Sequence, residues 1–142
     1  MDVLIRYLHL FAVIVLAGTL IIENVAIGKQ ITREDLRNLL KVDAVYGASA
    51  GLVAILGISL WLWVGKPSAF YTSNPVFHAK IALFIAVGLI SIYPTVFFIR
   101  QRKTEVETIL VPTGVIRALR IELTLLAFIP ILAFLMARGI GN

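Results

Sequence analysis

Four long apolar runs, separated by polar and basic segments, set the terms for any fold of this chain. From Ile81 to Ile99 no charge interrupts 19 positions. That is about the number needed to cross roughly 30 Å of hydrocarbon at about 1.5 Å per residue. Asn74 and Pro75 stand just before it as an N-cap and first-turn pair, since proline there gives up only an N–H that would have no partner. Three further runs of similar character predict an all-α integral membrane four-helix bundle. It forms one domain over residues 1–142, with spans at about 3–27, 43–64, 75–100 and 115–137.

The segments between the runs refine this outline. Arg6 ahead of an apolar run resembles a secretion signal, but the run continues through Ile22, so the first span is expected to be retained. Thr32 with Asp35 three residues later predicts a capped helix start. Leu36, Leu39 and Leu40 then form one stripe while Arg33, Arg37 and Lys41 lie elsewhere, the pattern of a short interfacial helix before the second span, into which it is expected to run on. Within that span Asp43, Gly47, Ala50, Ala54, Gly57 and Trp61 recur at spacings of three and four, leaving one face nearly bare. Gly47 and Gly51 make a GxxxG pair, a route to close helix packing within one chain or in a homo-oligomer. Trp61 and Trp63 mark the outer interface, Gly65 to Ser68 closes the helix into a loop, and Pro94 and Pro130 are expected to kink the third and fourth spans.

Composition narrows the chemistry. The chain is 60% hydrophobic, too apolar for a soluble domain of this length. It has no cysteine and two histidines, so disulfides, zinc thiolate sites and iron–sulfur clusters are excluded. The net charge of +5 does not point to nucleic acid, because the basic residues flank the spans. Lys29, Arg33, Arg37 and Lys41 share one side with Arg100, Arg102, Lys103, Arg117 and Arg120. The other side has Lys66 and Arg138, so both termini are expected outside the cytoplasm.

That topology sorts the polar residues of the spans into two layers. Arg6, His9, His78 and Lys80 share the outer one. Glu23, Asn24, Asp43, Tyr46, Arg117, Arg120 and Glu122 share the inner one, to which every span but the third contributes. On the first span Arg6, His9, Leu16 and Glu23 lie along one stripe, which should face the bundle interior because ionisable groups are costly in lipid. A neutral imidazole there is a suitable axial ligand for haem iron, and a flat tetrapyrrole suits a gap lined by small residues. Arg6, Lys80 and Lys66 would then serve the propionates. The plainer alternatives are hydrogen-bonded histidines near a wet interface and a snorkelling Lys80. For the inner layer the expectation is a salt-bridge network pairing Glu23, Asp43 and Glu122 with Arg117 and Arg120.

His9 in an early span, with His78-Ala79-Lys80 opening the third, resembles the HemJ-type family of bacterial membrane proteins, associated with protoporphyrinogen oxidation and b-type haem. The chain is also similar to a family of small bacterial membrane proteins of uncharacterised function. The resemblance implies residence in the bacterial inner membrane, an axial haem ligand at His9, a functionally required lysine at Lys80 and a family acid at Glu122. The Asn-Glu-Pro of the HemJ-type last span is Ile121-Glu122-Leu123 here, so the haem site rather than the substrate is what carries over.

Taken together, the residues predict a membrane-embedded b-type haem protein, an oxidoreductase or electron carrier. His9 and His78 ligate iron, Arg6 and Lys80 stand near the propionates, and the resemblance makes Lys80 and Glu122 the catalytic candidates. The alternatives are a small transporter or proton relay using Glu23, Asp43 and Glu122, and a scaffold that oligomerises through Gly47 and Gly51.

Overall fold

The computed structural model describes residues 2–64 and 75–138. Helix α1 is Asp2–Ala26, strand β1 is Gln30–Thr32 and helix α2 is Arg33–Ser59, prolonged by a five-residue π-helical turn, Leu60–Val64. Helix α3 is Pro75–Gln101, strand β2 is Thr108–Leu110 and helix α4 is Thr113–Ala137. All four α-helices are long and apolar enough to cross a membrane. The Asn74 cap, Lys66, the loop from Gly65 to Ser73 and the Trp63 side chain lie outside the described residues.

The capping signal at Thr32 is realised in both directions. The Asp35 N–H donates to Thr32 Oγ1 at 3.0 Å, and the Thr32 N–H donates to Asp35 Oδ2 at 3.2 Å, which satisfies two of the four amides a helix start leaves open. As expected, the capped turns run unbroken into the second span. Leu36 and Leu39 are buried rather than spread on a headgroup layer, because a two-stranded ribbon supplies the surface they pack beneath.

That ribbon was not legible in the polar connections. β1 and β2 pair antiparallel with Ile31 opposite Ile109. The two isoleucines are buried while their strand neighbours are exposed, as period-two alternation requires of a sheet with one covered face. The Val111 N–H to Lys29 carbonyl bond and the Arg33 N–H to Glu107 carbonyl bond extend the pairing at both ends. The ribbon ties the α1–α2 and α3–α4 connections together and closes the inner end of the bundle.

Inside, Leu16, Leu20, Leu36, Phe98, Val115 and Leu119 are almost wholly buried. The outward faces carry Val3, Ile14, Ile55, Ile85, Leu89 and Phe134 exposed, an arrangement suited to lipid. α1 packs mainly on α2 and α3 on α4, while α2 and α3 touch more sparsely. Pro94 is buried in α3 and Pro130 is exposed in α4. Among the described residues no atom of another element lies within 4 Å of where a Cβ would stand on Gly47 or Gly51, so none of these elements packs closely on the GxxxG pair.

Candidate functional site

The stripe on α1 turns inward along its length. Arg6 is exposed, His9 half-buried, and Leu16 and Glu23 almost fully buried. His9 lies against Gly57 of α2, where an added Cβ would come within 3.4 Å of His9 Cε1. The bare face of α2 therefore receives the imidazole, as its spacing implied. His9 Nδ1 is buried and makes no close hydrogen bond among the described residues, although the Val53 backbone lies near the ring. Lys80 is half-buried, its ammonium 5.8 Å from the centre of the Phe77 ring and close enough to act electrostatically on His9. Phe77 in turn packs edge-on against Trp61 at 5.1 Å. His78 is exposed, its ring 5.7 Å from that of Phe77. The outer layer thus gathers His9 and Lys80 and leaves Arg6 and His78 at the periphery.

The inner layer is more tightly built. Glu23 of α1 is 1% exposed, Asp43 of α2 7% and Glu122 of α4 0%. Tyr46, one turn from Asp43 on α2, donates its hydroxyl to Glu122 Oε1 at 3.0 Å. Thr95 of α3 donates to Asp43 Oδ2 at 2.7 Å. The Glu23 carboxyl is within hydrogen-bonding reach of Asp43. Glu23 Oε1 and Glu122 Oε2 are buried without a partner.

The expected salt-bridge network is therefore absent. Among the described residues none of the three acids pairs with a lysine or arginine. Arg120 instead donates to the Asn24 carbonyl at 2.6 Å and to Asn24 Oδ1 at 3.2 Å, closing the end of α1. The reason is geometric: Arg120 and Arg117 stand two and five residues before Glu122 on α4, both exposed and both turned away from its face of the helix, whereas hydroxyls from α2 and α3 already stand in the layer. The third span was expected to contribute nothing here, yet it supplies Thr95 and Ser91. Their signal was present as two hydroxyls four residues apart, hence on one face, in an otherwise apolar span.

Lys80 and Glu122, joined by family resemblance as catalytic candidates, do not share a site. Ser91 of α3 lies within hydrogen-bonding reach of Tyr46, which bonds Glu122. Lys80 is eleven residues from Ser91 on the same helix, about 16 Å along the axis.

Where α2 and α3 part, a groove of about 440 Å³ opens on the inner layer. Asp43, Tyr46, Ser91 and Thr95 form its polar wall, and Leu40, Ala44, Gly47, Ala50 and Ile99 are among the apolar lining. Among the described residues no three histidine, aspartate or glutamate side chains converge as a metal centre. Chemically, the cluster can hold and pass a proton between carboxyls, and it meets the groove at Asp43 and Tyr46.

A family model described as a predicted membrane protein, DUF2214, matches residues 1–141. No curated protein and no solved structure matches the chain. No likeness to the HemJ-type family emerges from these comparisons.

Proposed function

From a chain that belongs to the DUF2214 family of membrane proteins, we propose a small proton-coupled transporter or proton relay of the bacterial inner membrane. The ribbon faces the cytoplasm and both termini lie outside it. One observation carries the reading: Glu23, Asp43 and Glu122, from three different helices, are all buried, Asp43 and Glu122 with hydroxyl rather than cationic partners and Glu23 beside Asp43. Uncompensated carboxyls in a span are costly, and a purely structural role would be served better by apolar residues of like volume. Their retention is explained if protons enter and leave the cluster. Asp43, at the groove, is the exchange point; Glu23 and Glu122, behind it, are the inner store.

The experiment is proton flux into vesicles. Purified protein is reconstituted with a trapped pH indicator, and a pH gradient is imposed with potassium and valinomycin to clamp the potential. Wild type should speed the collapse of the gradient, and Glu23→Gln and Glu122→Gln should return it to the lipid background while keeping the helical spectrum. Unchanged flux in both folded variants would refute the relay.

A second reading rests on His9, a half-buried imidazole beside Gly57, with the Val53 backbone near its ring and Lys80 within electrostatic range. It is the b-type haem protein expected from the residues, with His9 as axial ligand and Lys80 near a propionate. The exposed His78 does not fit a buried second ligand. Bound haem would supply electron transfer. A Soret band that appears on haem supplementation and is lost in His9→Ala supports this reading, and no band in wild type removes it.

A further inference from the structure

The groove between α2 and α3 presents an unusual set of polar groups. Each hydroxyl along it has already given away its hydrogen: Thr95 to Asp43 Oδ2 at 2.7 Å, Tyr46 to Glu122 Oε1 at 3.0 Å, and Ser91 to the Gly88 carbonyl at 2.6 Å. What the three oxygens have left are lone pairs, and Asp43, once its proton has left, offers only lone pairs as well. The polar side chains of the wall thus form an acceptor set around one anionic group. A ligand that satisfies it must bring several donors and a positive charge.

Size and shape narrow the ligand further. The groove encloses about 440 Å³, within the range of about 300 to 1,000 Å³ of small-molecule sites. From Leu40 to Ala50 along α2 it extends about 15 Å at about 1.5 Å per residue. Its remaining wall is small and apolar, with Ala44, Gly47 and Ala48 exposed along it. A bare cation would leave most of this length unfilled, and an anion would face Asp43 with like charge.

We propose that this groove binds a free primary amine carrying an apolar tail, its ammonium on Asp43 and the hydroxyl oxygens, its tail along Ala44, Gly47 and Ala48. Besides the acid itself, the unpartnered Oε1 of Glu23 and Oε2 of Glu122 lie buried in the layer behind it. They give the proton displaced from Asp43 somewhere to go. The proposal rests on the proton-coupled reading above and names its substrate class. A proton leaving Asp43 as the ammonium arrives keeps the charge in the groove balanced, the exchange an antiporter requires.

The test is binding of dansylcadaverine, a fluorescent primary amine, to the full chain in nanodiscs of phosphatidylcholine and phosphatidylglycerol. Saturable enhancement is expected, at least tenfold weaker in Asp43→Asn and in Gly47→Leu. The second variant fills the groove where nothing lies within 4 Å of the added Cβ, and its melting temperature should stay near wild type. The N-acetylated probe, which lacks the charge, should not saturate. Equal binding of the N-acetylated probe, or wild-type affinity in both variants, overturns the proposal. Displacement of the probe by phosphatidylethanolamine at the proportions of a bacterial membrane assigns the groove to a lipid headgroup and also overturns it. So does a chain that is dimeric by light scattering and becomes monomeric in Gly51→Leu, because a second copy then covers the groove. Amine binding with no effect of Glu122→Gln on proton flux sinks the relay alone; flux that depends on Glu122 without amine binding sinks the amine alone.

Discussion

Tyr46 and Glu122 offer the sharpest test of how the inner layer is held. Tyr46 is 3% and Glu122 0% exposed, and their 3.0 Å bond is the one hydrogen bond Glu122 makes among the described residues. Tyr46→Phe leaves both carboxyl oxygens without a donor. A buried polar group stripped of its partner costs about 1 to 3 kcal/mol, about a 30-fold shift in the folding equilibrium at the middle of that range, since about 1.4 kcal/mol is one decade. Glu122→Leu leaves the phenol buried and unpaired, at a similar cost of about 1 to 3 kcal/mol. Removing both partners at once leaves nothing unsatisfied, so the double variant should be close to wild type. The double-mutant cycle should therefore show a coupling of about 1 to 3 kcal/mol, the pair less destabilised than the sum of the singles. Equilibrium unfolding in mixed micelles, titrated with sodium dodecyl sulfate and followed by helical circular dichroism, measures all four corners. Singles that add to the double within about 0.5 kcal/mol would mean that the hydroxyl does not hold the acid in the membrane, and the proton-storing arrangement would lose its support.

Three further outcomes follow from the geometry. Ile31→Ala empties a buried position opposite Ile109 and should cost about 2 to 5 kcal/mol, seen as an earlier unfolding midpoint; no shift would mean that the ribbon is not packed on the bundle. Thr32→Ala removes the capping box and should cost about 1 kcal/mol, largely restored by Thr32→Ser in the same titration. Gly57→Ala should be tolerated, since the new methyl meets His9 Cε1 at 3.4 Å, whereas Gly57→Leu should separate α1 from α2 and lower the melting temperature; equal melting of the two would show that the imidazole does not pack there.

The sequence by itself determined the membrane-spanning fold, since an uncharged run of 19 residues from Ile81 to Ile99 leaves few structures other than a helix crossing lipid. The reciprocal cap at Thr32 and Asp35 was equally legible, because capping depends on residues three apart and nothing else. So was the inward turn of Leu16 and Glu23, which follows from helical spacing and the cost of a carboxyl in hydrocarbon. Who meets whom across the bundle was decided only in three dimensions. The carboxyls could have gone to Arg117 and Arg120, and charge alone favoured that pairing. Helix rotation and the placing of α3 gave them Tyr46 and Thr95 instead and sent Arg120 to Asn24. The Ile31–Ile109 pairing joins residues 78 positions apart through strands too short to announce themselves by periodicity. The α2–α3 groove exists because two helices fail to touch closely, and a gap of that kind depends on the placement of every helix around it.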